Sequence, residues 1–262
     1  MTSSAWSAGA PYDRYVGRWS RLVAAEFVGW LAIPPGRRWL DVGCGTGALT
    51  AAALAGAEPA SVIGIDPSEG FLSVARSHVV DARAGFEVGD ARSLPVPDDS
   101  ADVVVSGLSL NFVPDAVAAL REFTRVCAPG GVIAAYVWDY AEGMAMMRYF
   151  WDAAVALDPA AEALDEGPRF PLCRPDALRE RWTAAGLGGV QVRAIDVPTL
   201  FENFDDYWTP FLGAQGPAPQ YVAGLSPPAR DALRERLRST LGHDEIAMTA
   251  RAWAVVGTTP GA

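Results

Sequence analysis

The chain has 262 residues, half of them hydrophobic, and a formal charge of −10. That length fits one large domain or a core with a smaller attachment, and so acidic a chain has no electrostatic footprint for nucleic acid or anionic lipid. All 21 cations are arginines, which excludes a phosphate-loop lysine, a Schiff-base lysine and a tyrosine–lysine hydride-transfer pair.

In chain order, residues 12–21 (YDRYVGRWSR) are rich in arginine and aromatics, and Leu22 to Leu31 reads as a helix. Pro34-Pro35-Gly36 breaks it. From 38 to 139 the rhythm is β-α-β-α. Trp39–Val42 is a first strand and Ala48–Leu54 a helix, with Gly56 as its stop. Ser61–Asp66 is a second strand, and Ser68 caps a helix reaching about Val80. Phe86–Val88 is a short third strand. Ala101–Ser106 is a β-branched run without alternation, so it should be buried on both faces. Asp115 to Cys127 is a helix with Ala116, Ala119, Leu120, Phe123 and Cys127 on its buried stripe. Pro129-Gly130-Gly131 turns into a fifth strand, Val132–Trp138. Such alternation implies a parallel doubly wound sheet.

After residue 140 the pattern changes. Gly143 to Leu164 reads as one helix carrying methionines and aromatics, Pro175 to Ala185 as another, and Gly189–Val197 as a strand. A late amphipathic helix has Leu233, Leu237 and Leu241 on one stripe and Arg230, Arg234 and Arg238 on a second, expected to be a solvated face. Ile246–Gly257 is the closing strand.

The segment Trp39-Leu40-Asp41-Val42-Gly43-Cys44-Gly45-Thr46-Gly47 carries the chemistry. Strand, glycine loop and helix open a nucleotide-type α/β site, and glycine lets the backbone approach a ligand closely. Gly43, Gly45 and Ala48 satisfy a dinucleotide fingerprint, but only weakly. Three acids sharpen the reading. Asp41 at the first strand tip would repel a pyrophosphate and attract a cation. Asp66, ending strand two, can accept both hydroxyls of a ribose. Asp90, after strand three, can accept from an exocyclic adenine amine. A ligand with a ribose, an adenine and a positive centre fits.

With those pieces in place, the sequence resembles the class I S-adenosylmethionine-dependent methyltransferases, and most of all their ubiquinone-biosynthesis-like (type 11) branch. The matching stretches are LDVGCGTG (40–47), VIGIDPS (62–68), VGDARSLPVPDDSADVVVSGLSLNFVPD (88–115) and APGGVIAAYVWD (128–139). The resemblance implies an α/β fold: a doubly wound, Rossmann-like, seven-stranded, mostly parallel sheet with an antiparallel last strand, plus a helical cap. It implies one methyltransferase domain over 1–262, with a cofactor-binding half at 36–140 and cap and acceptor-pocket segments at 10–32, 143–170 and 200–242. It implies S-adenosyl-L-methionine as cofactor. Asp41 and the loop Gly43, Cys44, Gly45 and Gly47 would then face the methionine half, and Asp66 would hold the ribose. Pro67 and Ser68 would flank the adenine, Asp90 and Ala91 would read its edge, and Ser106, Gly107 and Leu108 would lie under the cofactor. Tyr12, Tyr15 and Arg18 would meet the cofactor's carboxylate.

Methyl transfer from a sulfonium needs alignment more than covalent catalysis. Candidate bases are Asp139 and Tyr140, which follow strand five, and His243; His78 reads as a solvent-face residue. Trp39, Trp182 and Trp253 read as core, and Cys44 as a small residue without a redox partner. Trp19, Asn111, Trp138, Met144, Met147 and Trp208 are the expected acceptor-pocket residues for a small organic acceptor, an O- or N-nucleophile being favoured over carbon. The rival readings are an NAD(P)-dependent oxidoreductase, disfavoured by Asp41, and a non-catalytic cofactor-binding protein. Three scattered cysteines and two histidines have no metal-ligand spacing, so no metal is expected. With neither a signal peptide nor a membrane span in the pattern, the expectation is a cytoplasmic monomer or homodimer without nucleic-acid or membrane partners.

Overall fold

The computed structural model describes residues 17–213 and 216–261, with Arg18 described by its backbone alone. Tyr12, Tyr15 and the Arg18 side chain, expected against the cofactor's carboxylate, lie outside the described residues. In chain order come α1 (Arg18–Leu31), β1 (Arg38–Val42), α2 (Ala48–Gly56), β2 (Ser61–Asp66), α3 (Glu69–His78) and β3 (Ala84–Val88). Then follow β4 (Ala101–Gly107), α4 (Ala116–Val126), β5 (Cys127–Trp138), α5 (Ala145–Leu157), α6 (Glu166–Arg169) and α7 (Pro175–Ala184). The chain ends with β6 (Gly188–Phe201), α8 (Phe204–Trp208), α9 (Pro217–Gly224), α10 (Pro227–Leu241) and β7 (Ile246–Thr258).

The seven strands form one sheet in the order β3-β2-β1-β4-β5-β7-β6, parallel through β5 and antiparallel at its last strands. The order reverses between β1 and β4, and ligands of such sheets bind beyond the carboxyl ends of the strands at that switch. Local chemistry explains the elements. Val103, Val104 and Val105 of β4 are buried on both faces, as an uninterrupted β-branched run predicts. The Ser68 hydroxyl caps α3 by accepting from the Phe71 amide at 3.3 Å, and Asp115 caps α4 through the Ala118 amide at 2.9 Å. Each cap satisfies an amide that the helix itself leaves unpaired.

The chain divides into two compact units. The core unit comprises Ser20–Val137, Leu172–Ile195 and the chain from Trp253 onward. Trp182 of α7 is fully buried there, and its indole N–H donates to the Ile133 carbonyl of β5 at 3.0 Å. The second unit comprises, among the described residues, Gly17–Trp19, Trp138–Pro171 and Asp196–Ala252. Its interior is aromatic: Phe150 stacks on Phe211 at 4.4 Å, Trp151 meets Phe150 edge-on, and Phe201 contacts both Trp19 and Tyr207. The Tyr207 hydroxyl, fully buried, donates to the Met146 carbonyl at 3.0 Å. Arg148 pairs with Asp165, and the Trp151 indole N–H donates to Glu166.

Several local expectations are corrected. The helix expected over 143–164 ends at Leu157, because Pro159 disfavours helical geometry at the residue before it. Asp158 is extended instead and caps a separate turn, Pro159–Leu164, through the Ala160 amide. The turn at Pro129-Gly130-Gly131 lies inside the β5 ladder as an irregularity: Ala101 pairs with Cys127 but Val103 with Val132. A side chain at Gly131 would meet the Cys127 Sγ at 2.5 Å and the Ala128 carbonyl at 2.7 Å. The Arg230/Arg234/Arg238 stripe is not a solvated face. The Arg234 and Arg238 guanidinium groups lie 5.6 and 5.4 Å from the Phe204 ring centre, and Arg234 pairs with Asp205 at 2.7 Å. Cation–π attraction draws them onto α8. On α4, Val126 is buried where Ala116 was expected, and Trp253 is only partly buried.

Replacing Trp182 by alanine empties a dry site and orphans the Ile133 carbonyl. The expected cost is about 3–5 kcal/mol, measured by urea unfolding. The phenylalanine variant should lose less, since it keeps most of the packing and forfeits only the hydrogen bond.

Candidate functional site

The glycine loop is left-handed at three alternate positions: Gly43 (φ 75°), Gly45 (φ 53°) and Gly47 (φ 87°). The Gly43 and Cys44 amides both donate to the Ile65 carbonyl, at 2.7 and 3.1 Å, which folds the exit of β1 onto the end of β2. The two outer glycines are also fixed by packing. A methyl group at Gly43 would sit 2.2 Å from the Ser109 hydroxyl, and one at Gly47 would press on Val79 at 2.9 Å. At Gly45 it would meet open space. Gly45 therefore presents bare backbone, the geometry a closely bound ligand requires. Cys44 is buried, and its burial pushes the thiol pKa far upward, so it stays protonated.

The three acids have different electrostatic states. Asp41, 1% exposed, accepts a hydrogen bond from the Thr50 hydroxyl at 2.7 Å through Oδ2, while Oδ1 is buried with no partner. Burial pushes its pKa up to about 7; the Thr50 hydrogen bond opposes this and the neighbouring Asp66 charge adds to it. Asp66 has both oxygens engaged by backbone, Oδ2 by the Gly45 amide at 3.0 Å and Oδ1 by the Ser68 amide at 2.9 Å. Burial raises its pKa and those two amides pull it back. Asp90 is half-exposed and held by the Arg92 guanidinium and amide, which lower it to about 2. The adenine-reading role expected for Asp90 thus falls on a carboxylate that already has an arginine partner.

Ser68 is doubly used, its amide on Asp66 and its hydroxyl capping α3, while Pro67 is exposed and Ala91 partly buried. At the end of β4, the buried Ser106 hydroxyl shares a hydrogen bond with the Ser109 hydroxyl at 2.8 Å, and Gly107 packs on the Tyr136 hydroxyl. Leu108 follows with φ 56°. A left-handed leucine costs on the order of 1–3 kcal/mol and such strain concentrates at ligand sites. Asn111 lies in the turn Leu110–Phe112, and its Nδ2 is buried without a partner.

The other expected residues belong to the second unit, Asn111 excepted. Trp19, Trp138, Met144, Met147 and Trp208 are all buried there, and the Trp138 indole N–H is dry and unpartnered. Asp139 is buried and accepts from the Glu142 amide at 3.1 Å, while the Tyr140 ring lies 5.6 Å from Phe170. His243 is exposed just beyond Gly242, which ends α10, and His78 is exposed as expected. Sequence reasoning passed over Thr50, Ser109 and Glu166. A hydroxyl in the first turn after a glycine loop was the available signal for Thr50. Burial pushes Glu166 up to about 7, against the Trp151 hydrogen bond.

A methyltransferase-domain family model matches residues 40–135. The chain is 32% identical over 195 residues to the 2-methyl-6-phytyl-1,4-hydroquinone methyltransferase of Synechocystis sp., covering 73% of this chain and 60% of that protein. It is 38% identical over 120 residues to the demethylmenaquinone methyltransferase of Symbiobacterium thermophilum, covering 44% of this chain and 47% of that one. The chain thus spans about half the length of these curated relatives. Among solved structures, the YcgJ protein of Bacillus subtilis superposes with a TM-score of 0.58 at 19% identity, over 92% of this chain and 99% of that one. Haemonchus contortus phosphoethanolamine N-methyltransferase 2, in complex with S-adenosyl-L-methionine, does so with a TM-score of 0.58 at 19% identity, over 94% and 56%. These structural likenesses bear on the fold. Among the described residues no helix is long and apolar enough to cross a membrane.

Asp41 has an ordinary pKa near 3.8 and a folded one of about 7, and Glu166 moves from 4.5 to about 7. Between those values the native state keeps protons that the unfolded chain gives up, so the contribution of these two groups to stability is full below pH 4 and falls as pH rises toward 7. Thermal melts of the ligand-free protein should show that decline, on the order of a few kcal/mol. Asp41→Asn should flatten the part due to Asp41. A profile that rises over this interval would contradict both assignments.

Proposed function

The chain belongs to the class I S-adenosylmethionine-dependent methyltransferases, and from that premise we propose that it methylates a small, largely apolar acceptor of the hydroquinone class. The observation that supports the methyl-donor half is Asp41, a dry carboxylate with one unpartnered oxygen beside bare backbone at Gly45. Such a group favours a ligand carrying positive charge and disfavours two phosphates. Support for the acceptor class comes from the relatives named for hydroquinone and menaquinone methylation and from the methionine- and aromatic-lined interior of the second unit. Flat rings pack well among aromatic side chains.

When bound, the cofactor supplies a methyl group on a sulfonium, an intrinsically good leaving group. The chain's own contribution is to hold and align. In the proposed arrangement Asp66 accepts from the ribose hydroxyls with lone pairs left free by Gly45 and Ser68, and Asp90 or the backbone beside it meets the adenine edge. Alignment of acceptor and methyl can supply up to about 7–11 kcal/mol. A hydroquinone attacking through oxygen must lose a proton, and Asp139 is the favoured base because it is buried and carboxylic, whereas His243 is exposed. Attack through a ring carbon would lose its proton after transfer.

The test is incubation with S-adenosylmethionine and 2-methyl-6-phytyl-1,4-hydroquinone or reduced demethylmenaquinone. S-adenosylhomocysteine release and the position of the new methyl group are read by mass spectrometry. Cofactor binding without turnover on either ring would count against the acceptor class. Asp66→Ala should weaken S-adenosylhomocysteine binding by about 10- to 100-fold, the worth of charge-assisted hydrogen bonds. Unchanged calorimetric affinity in a folded variant would remove Asp66 from the ribose.

A further inference from the structure

We propose that the Trp138 indole N–H holds the methyl acceptor by donating a hydrogen bond to an oxygen on its ring, so that the second unit selects aromatic acceptors bearing a phenolic, phenolate or carbonyl oxygen over rings without one. The proposal rests on the acceptor class proposed above and gives one atom of this chain a part in it.

Unpartnered polar atoms carry the argument. Among the described residues of the second unit, four buried side-chain nitrogen or oxygen atoms lack a partner: Trp138 Nε1, Arg148 Nε, Thr199 Oγ1 and Arg230 Nε. Each bears a hydrogen that it can donate, and none is a carboxylate or amide oxygen. The ligand chemistry that complements such a set is an oxygen acceptor. Buried polar atoms are rarely left unpaired without a reason, and a buried indole N–H usually finds a partner. The Trp151 N–H donates to Glu166 and the Trp182 N–H to the Ile133 carbonyl. Trp39, the other unpartnered indole, lies in the core unit within β1.

Position singles out Trp138 among the four. Arg148 and Arg230 have other nitrogens engaged within the protein, Arg148 by Asp165 and Arg230 by the Leu225 carbonyl at 3.4 Å. Thr199 lies on β6, the outermost strand of the sheet. Trp138, 2% exposed, has a single polar atom. It is the final residue of β5, the last of the parallel strands. Ligands of such sheets bind beyond the carboxyl ends of those strands.

The strand end that carries Trp138 is fixed by its backbone. The Asp139 amide donates to the Arg251 carbonyl at 2.9 Å, and the Arg251 amide donates to the Gly143 carbonyl at 2.9 Å. The Met144 amide returns to the Asp139 carbonyl at 3.0 Å. A side chain on Gly143 would meet the Arg251 Cβ at 2.4 Å and the Asp139 carboxylate at 2.7 Å. The chain leaving β5 therefore closes tightly on β7, and a donor held in place beforehand loses little freedom when it binds. In the same unit Met144, Met147 and Phe150 are buried and offer apolar surface to a ring. A hydrogen bond to an oxygen carrying negative charge is the stronger one, so the indole favours a bound hydroquinone in its phenolate form.

Two measurements on the protein bound to S-adenosylhomocysteine test this. The probes are 2-methyl-1,4-hydroquinone and toluene, the same methylated ring with and without oxygen. In heteronuclear NMR spectra, the indole resonance that Trp138→Phe removes should move downfield with the hydroquinone and stay in place with toluene. Should that variant fail to fold, sequential assignment of the wild-type spectrum identifies the same resonance. By calorimetry the wild-type chain should prefer the hydroquinone, and Trp138→Phe should narrow that preference by about tenfold. A ratio of two affinities cancels the packing lost with the larger ring. A stationary Trp138 resonance with hydroquinone bound, or an unchanged preference in the variant, would overturn this inference alone. If neither ring bound the wild-type chain, the acceptor class proposed above would fail and this inference with it.

Discussion

One carbonyl organises the site. Ile65 O accepts from both Gly43 and Cys44, so the chain leaving β1 folds back over the tip of β2 instead of continuing outward. That double acceptance is possible only because Gly43 takes a left-handed conformation that a side chain would resist. Its consequences spread outward. Gly45 is carried over Asp66, whose carboxylate then holds the Gly45 amide. Gly43 is pressed against Ser109, which fixes the turn after β4. Gly47 ends the loop as the first cap of α2. Four elements meet around a single bent loop.

The acids at the strand tips show how burial, not residue type, sets chemical state. Asp90 faces water and an arginine and stays ionised far below neutrality. Asp66 is buried but ligated by two amides, which offset part of its desolvation. Asp41 has hydrogen bonds from Thr50 alone, and desolvation dominates. A buried carboxylate whose hydrogen bonding is incomplete would be expelled by evolution from an ordinary core, because each unmet lone pair costs free energy. Leu108, left-handed, and the buried Asn111 amide nitrogen, unpartnered, are two further local costs in the core unit.

What was legible in the sequence were features with short-range physical causes. The β-branched run at 101–106 reads as a doubly buried strand because nothing else suits both faces of a covered sheet. Ser68 and Asp115 read as caps because a side-chain oxygen there has an amide to satisfy. The glycines of 43–47 read as a tight loop because alternate glycines permit the left-handed turns found there. The partners of charged side chains were not legible. Nothing near Asp90 in the pattern says that Arg92 will fold back onto it, although the two lie two residues apart. The Arg230/Arg234/Arg238 stripe looks solvated until α8 supplies Phe204. The break at Asp158 was in principle readable from Pro159, but the apolar periodicity across 143–164 outweighed it. The second unit has aromatic packing in place of motifs, and packing is a property of many residues together, so its chemistry has no local signature.

Two features of opposite electrostatic character meet at the loop. The N-terminus of α2, with Gly47 as its cap and no acid in its first turn, carries the partial positive charge that favours an anion. By itself that would suit a phosphate. Asp41 lies two residues before the loop on the adjoining strand, buried, and when ionised it would cancel that preference for any ligand bearing two negative charges. Burial raises the Asp41 pKa to about 7, so a nearby positive charge would favour its ionised form.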